Sequence, residues 1–201
     1  MVATDFQKKI SKSAAIQKFI SWTDFQKKYL SREDNYKYEW LNGIVEKTNQ
    51  NMDYTQLYIA QNLMVLFRTL INNGKTNGEL MTEGDIFFLK NHRRPDIFYM
   101  SDKQLAYTAH GENQVPLFIG EIISSKDQIN KVTLKMQNYR AAGVQIVWHL
   151  FPEYEEVHVY SGQNLTNMVV CKGEDICTAA SVIPDFSLTV STIFKKPAKP
   201  E

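Results

Sequence analysis

The sequence predicts an α/β domain built on a mixed sheet, and three observations predict it. Asn42-Gly43 sits between β-prone flanks in "YKYEWLNGIVEKT", Tyr36 to Thr48, the signature of a two-residue hairpin turn. Ile59, Leu63, Leu66, Phe67, Leu70 and Ile71 recur at helical spacing over about Tyr54 to Asn72. The apolar run "QVPLFIGEIIS" then leads into a second helical pattern and three more strand patterns. Strands, helix, strands, helix, strands is the order of one mixed-sheet domain.

Length and composition agree with this class. A chain of 201 residues can enclose one real core. Its 43% hydrophobic and 22% charged residues belong to a globular rather than a disordered chain. The net charge of +1 does not support a protein that coats nucleic acid electrostatically, and it leaves local basic patches open. No apolar run approaches a membrane span and the start of the chain lacks a signal-peptide core, so a cytoplasmic protein without membrane contact is expected. Cys171 and Cys177 flank the turn "KGED". Reduced, buried thiols are favoured over a cross-turn disulfide, and without a second CxxC or clustered histidines they do not read as a zinc site.

Along the chain, residues 1–20 read as an N-terminal extension carrying an extra helix. The hexapeptide "TDFQKK" occurs at Thr4 to Lys9 and again at Thr23 to Lys28. Two copies are too few for a solenoid, and each reads as a helix start with Thr or Asp as cap. Residues 21–194 read as a single domain. The hairpin opens it, and the long helix ends in the stop-rich "NNGKTNG". "ELMTEGDIFFL" and "RPDIFYM" are short strand patterns around a basic loop, "KNHRR". "QVPLFIGEIIS" is the central strand, buried on both faces. "SSKDQINKVTLKMQNYRAAGV" follows as a helix ending near Gly143, then strands in "QIVWHLFP", "EVHVYS" and "MVVCK". "IPDFSLTVSTIF" closes the domain, and residues 195–201 read as a frayed, flexible tail.

Three acids stand where strands are predicted. Asp96 follows Pro95 at the head of Ile97-Phe98-Tyr99, Glu121 lies inside the central strand, and Glu39 opens the hairpin. A carboxylate in an apolar strand loses hydration and needs a proton, a cation or a metal. Neighbouring strands lie about 4.8 Å apart, so two such carboxylates can share one divalent ion, and oxygen-only ligands suit Mg²⁺ or Mn²⁺. On the helix after the central strand, Ile129, Val132, Met136, Tyr139 and Ala142 define an apolar arc. Lys135 falls inside that arc and Lys131 just outside it. A lysine on a buried face needs an anionic partner, which points Lys135 at Glu121. A plain ion pair holding helix to sheet explains the same residues about as well.

Together "YEWLNGIVEKT", "QNLMVLF", "RPDIFYM", "PLFIGEIISSKD", "KMQNYRAAGVQIVWHLFP" and "VIPDFSLTVSTIF" resemble the Uma-type family of putative restriction endonucleases, within the PD-(D/E)XK nuclease superfamily. The resemblance runs from about Thr23 to Phe194. It implies a restriction-endonuclease-like core, a mixed β-sheet of about four main strands flanked by helices. It implies Mg²⁺-dependent hydrolysis of DNA phosphodiesters leaving a 5′-phosphate. Asp96 and Glu121 match the metal-binding acids, with the main-chain carbonyl of Ile122 as a further donor. Glu39 matches an additional acid near the site. The superfamily's usual lysine position is Ile123 here, and the family's helix-borne lysine is Lys135. The chain departs from the family pattern at Gln56, Ser124-Ser125, Lys131 and Phe151-Pro152, none of them a metal ligand.

Arg93, Arg94 and Lys131, with Lys126 and Arg140, are candidates for backbone phosphate contacts, with solvated surface charge as the equal alternative. Trp148 and Tyr139 read as core aromatics, His149 and His158 as structural, and Glu83 and Asp85 as a solvated strand face, with an accessory acid as the less favoured alternative for either. Two other functions stay open: a binding module on the same fold, with Lys135 and Glu121 kept as an ion pair, and a phosphodiesterase of small nucleotides. Cleaving two strands favours a homodimer with a two-fold pair of sites.

Overall fold

A computed structural model describes residues 19–49, 54–88, 90–125 and 127–199. The extension read before residue 19, the first hexapeptide and Lys126 lie outside these residues. α1 (Trp22–Phe25) continues as a π-helical turn, Gln26–Leu30. Its cap is Ser21, whose hydroxyl accepts from the Asp24 amide, and not a residue of the second hexapeptide.

β1 (Tyr36–Leu41) and β2 (Ile44–Asn49) form the expected hairpin, with Leu41 paired to Ile44 across the turn. Asn42 and Gly43 both take positive φ, 46° and 93°, as a primed two-residue turn demands. A Cβ on Gly43 would lie 2.8 Å from Phe19 Cδ1. Gly43→Ala is therefore expected to lower stability by ~1–2 kcal/mol, read as a Tm drop of several degrees in a thermal melt.

α2 (Tyr54–Asn72) buries Ile59, Ala60, Leu63, Phe67 and Leu70 on one stripe. Next come β3 (Glu79–Thr82), β4 (Ile86–Phe88), β5 (Asn91–Arg93) and β6 (Ile97–Met100). The basic loop is corrected here: Asn91–Arg93 is a strand, buried throughout, because it pairs with β1 on one side and β4 on the other. α3 (Asp102–Ala109) has no counterpart in the predicted elements. Its signal is local all the same: Ser101 and Gln104 form a capping box.

β7 (Phe118–Ile122) is buried at every residue. α4 (Ile129–Ala142) ends at Gly143 in the left-handed region, φ 88°. Its apolar arc holds at Met136 and Tyr139, whereas Ile129 is exposed in the first turn. β8 (Ile146–Phe151), β9 (Glu156–Ser161), β10 (Asn167–Lys172), β11 (Ile176–Thr178), β12 (Ser187–Thr189) and α5 (Val190–Ile193) complete the chain. Cys171 and Cys177 are buried free thiols.

The main sheet has the order β10-β9-β8-β7-β6-β3, with β7 and β8 parallel and the other pairs antiparallel. A smaller sheet has the order β2-β1-β5-β4. Both faces of the main sheet are covered. On one, Ile59, Leu63 and Phe67 of α2 pack with Phe118, Trp148, Leu150 and Phe186. On the other, Met136 and Tyr139 of α4 pack with Ile119, Val147, Phe98, Ile86 and Phe88. Along β7, alternation sends Phe118 and Ile122 to the first core and Ile119 to the second. Glu121 therefore points towards α4, into the space between the two sheets.

Candidate active site

The register of β6 and β7 places the two principal acids opposite one another. Ile97 pairs with Gly120, so Asp96, just before β6, stands across from Glu121. Both are buried, with 8% and 3% of their surface exposed. Asp96 Oδ2 accepts the Ile122 amide at 2.8 Å, and Oδ1 takes the Lys37 ammonium at 3.2 Å. Glu121 Oε2 takes the Lys135 ammonium at 2.9 Å, and Oε1 accepts a short hydrogen bond from the Tyr139 hydroxyl. Lys135 and Tyr139 are four residues apart on α4, so one helix face reaches both oxygens.

Glu39 completes the group from the small sheet. Its Oε1 accepts the Arg94 amide at 2.9 Å and its Oε2 meets Arg93 Nη1 at 2.9 Å. Burial pushes the Glu39 carboxyl up, but Lys135, Arg93, Lys37 and the Arg94 amide together outweigh burial and hold it at about 2, against an ordinary 4.5. Its folded value lies below its unfolded one, so Glu39 stabilises the fold above about pH 4.5 and that contribution fades as pH falls towards 2. The acid limb of a stability profile should carry roughly 3 kcal/mol from this group. Glu39→Gln should flatten that limb in denaturant unfolding at pH 2–5.

Glu121 behaves in the opposite way. Burial pushes its carboxyl up; Lys135 opposes this, and the facing charge of Asp96 adds to it. Glu39, Glu46, Glu83, Asp96 and Glu121 face Lys37, Arg93 and Lys135, so carboxylates outnumber cations by two. Protons or a divalent cation balance such a cluster. Among the described residues no three His, Cys, Asp or Glu side chains gather as a ready metal cage. Mg²⁺ does not need one, since one or two carboxylates with water and phosphate oxygens commonly hold it. The all-oxygen donor set of Asp96 and Glu121 and the excess negative charge fit that ion.

The structure brings Asp96, Glu121, Lys135 and Glu39 together. It also places the Ile122 amide, rather than a free backbone, against Asp96. Arg93 does not face solvent. It is fully buried, with Nη1 on Glu39 and Glu46 and with Nε and Nη2 on Asn138. That position comes from β5, where Arg93 shares a strand face with Asn91 and turns inward. Arg94 is half-buried, pairs with Asp85 at 3.1 Å and donates to the Glu83 carbonyl. Lys131 is half-buried one turn before Lys135, and Arg140 donates to the Leu165 carbonyl.

Sequence reasoning missed several members of this group. Lys37 is the partner of Asp96. The available signal was its place two residues before Glu39 in a strand, hence on the same face. Tyr139 is a core aromatic, as expected, yet its hydroxyl serves Glu121. Glu83, read as solvated, lies 3.5 Å from Lys37 and adopts a positive φ of 54°. His149 is the register partner of Glu121 on β8; it is buried with Nε2 unpartnered. Burial, His158 and Lys135 hold its pKa to about 4, so it is neutral at physiological pH.

Residues 22–191 match the Uma2 family, described as putative restriction endonuclease. The fold is similar to the crystal structure of a putative nuclease of the DUF820 family from Anabaena variabilis. The TM-score is 0.72 at 18% identity, over 87% of this chain and 97% of that one. No curated protein is a significant match. Among the described residues no helix is long and apolar enough to cross a membrane.

Proposed function

Because the chain belongs to the Uma2 family of putative restriction endonucleases, we propose that it is a metal-dependent endonuclease hydrolysing DNA phosphodiester bonds at Asp96, Glu121 and Lys135. One observation carries this reading: two buried carboxylates stand opposite each other on adjacent strands, each held by a lysine from a different element. Asp96 and Glu121, with the Ile122 carbonyl, would hold Mg²⁺ or Mn²⁺, which when bound lowers the pKa of water and offsets charge on the phosphate.

The chain's own residues do the rest. Lys37 and the Ile122 amide orient the Asp96 carboxylate, and Tyr139 fixes one oxygen of Glu121. Lys135 has a side chain 20% exposed against 9% for Lys37, so it is the lysine that reaches an entering phosphate. Its ammonium orients the attacking water or meets charge developing on the phosphoryl oxygens. Glu39 anchors the chain just ahead of Asp96 through the Arg94 amide. Arg94 and Lys131 flank the site as phosphate contacts. A homodimer presents two such sites to the two strands of a duplex.

The test is calorimetric titration of Mg²⁺ and Mn²⁺ into the protein and into Asp96→Asn and Glu121→Gln, with plasmid and single-strand cleavage assays on the same samples. Metal binding and nicking that disappear in both variants are expected. No metal binding, with both variants merely destabilised, would make Glu121 half of a structural ion pair and the protein a binding module. Cleavage of small diesters without cleavage of polymers would make it a nucleotide phosphodiesterase.

A further inference from the structure

Three carboxylates stand in a row across the main sheet. Thr82 pairs with Ile97, and Ile97 pairs with Gly120. Glu83, Asp96 and Glu121, each the next residue at the same level, therefore follow one another across β3, β6 and β7. Adjacent strands lie about 4.8 Å apart, which leaves two gaps, each wide enough for one cation. The two gaps are not alike. The Lys37 ammonium, brought in by the small sheet, lies 3.2 Å from Asp96 Oδ1 and 3.5 Å from Glu83 Oε2. The Lys37 side chain is 9% exposed, and Glu83 Oε2 is shielded from solvent without a hydrogen bond of its own. Glu83 is held there in left-handed backbone, φ 54°, with its amide on the Asp96 carbonyl at 3.4 Å. A residue other than glycine takes that conformation at a cost, and such positions cluster at functional sites. The gap between Asp96 and Glu121 is different. Among the described residues no Lys, Arg or His pairs with both of these acids.

We infer that Lys37 stands in the place of a second divalent ion, so that the site takes a single ion, between Asp96 and Glu121. The inference rests on the nuclease reading and deepens it. Two-ion sites hold their metals about 3.5–4 Å apart. Asp96, the middle acid of the row, is where a shared carboxylate would stand, but one of its two neighbours is already matched to an ammonium. The charge count agrees. Five carboxylates face three cations in this cluster, an excess of two negative charges. One divalent ion neutralises that excess, whereas a second would leave two uncompensated positive charges in a buried place. Lys37 touches Asp96 and Glu83 and not the phosphate, so it is a positioning residue: it holds Asp96 towards one ion and closes the other gap.

The number of ions bound tests this directly. Mn²⁺ is titrated calorimetrically into the full chain, into Lys37→Met, into Glu83→Gln and into the double variant. The wild type should take one ion. Lys37→Met keeps the apolar stem and removes the charge, which leaves Asp96 and Glu83 facing each other without a cation. It should take two ions, and Mn²⁺ should raise its Tm by more than it raises that of the wild type. Removing Glu83 as well should return the count to one. Two ions in the wild type, or one ion in a folded Lys37→Met, overturns the inference.

If Lys37→Met does not fold, Glu83→Gln decides, since it leaves Lys37 on Asp96. It should still take one ion. A fall to none would make Glu83 a ligand of that ion and overturn the inference. Asp96→Asn separates the two readings. A wild type that takes two ions, and loses both in Asp96→Asn, overturns the single-ion inference and leaves the nuclease site standing. A wild type that takes no ion overturns the nuclease reading and this inference with it.

Discussion

Asp96→Asn should abolish DNA cleavage while leaving the fold standing. The loss is expected to be roughly 10³-fold or more, the order seen when a group offsetting charge in the transition state is removed. The geometry separates the two effects. Asparagine keeps the shape of aspartate, and its carbonyl oxygen can still accept the Ile122 amide that Oδ2 accepts now. Lys37 keeps Glu83 as a second carboxylate, 3.5 Å away. What disappears is one negative charge facing Glu121. Thermal unfolding should therefore shift little, and the rise in Tm expected when Mg²⁺ is added to the wild type should be absent from the variant. A variant that cleaves at the wild-type rate would remove Asp96 from the chemistry. One that melts far below the wild type would make its role structural.

Arg93→Leu should be the most destabilising single change in the site. The guanidinium is fully buried between Glu39, Glu46 and Asn138, and it is the contact that lets two carboxylates sit beside β5. Removing one partner of a buried ionic group leaves the others uncompensated, which costs about 3–5 kcal/mol. For a chain of this size that corresponds to a Tm drop of about 10 °C. Arg93→Lys should rescue little, because an ammonium cannot reach Glu39, Glu46 and Asn138 with one planar fork. Arg94→Ala, next in sequence but half-exposed, should cost less than about 1 kcal/mol. An Arg93→Leu protein that melts normally and binds DNA more weakly would restore Arg93 as a phosphate contact.

These two expectations fall on neighbours in sequence that look alike before folding. "RRPD" reads as a basic approach to an acid, and either arginine could have served a phosphate. Strand pairing assigns their roles. β5 turns Arg93 inward, whereas Arg94 leaves the strand and pairs with Asp85 at the rim. The same holds for Lys37, which looks like an ordinary hairpin charge. Its partner Asp96 is 59 residues away, and only the meeting of the two sheets brings them to 3.2 Å.

The sequence by itself determined the features that depend on nearby residues. The Asn42-Gly43 turn sets the hairpin, the apolar stripe spans Tyr54–Asn72, and Gly143 ends α4. Periodicity also placed Lys135 on the buried face that meets Glu121, since helix spacing and strand burial are both local patterns. Tertiary structure decided what depends on register between distant segments. It set Asp96 across from Glu121, sent the Tyr139 hydroxyl to the second Glu121 oxygen, and buried Arg93. Turn chemistry and side-chain periodicity act over a few residues. A hydrogen bond between strands, or an ion pair between sheets, exists only after the chain has closed on itself.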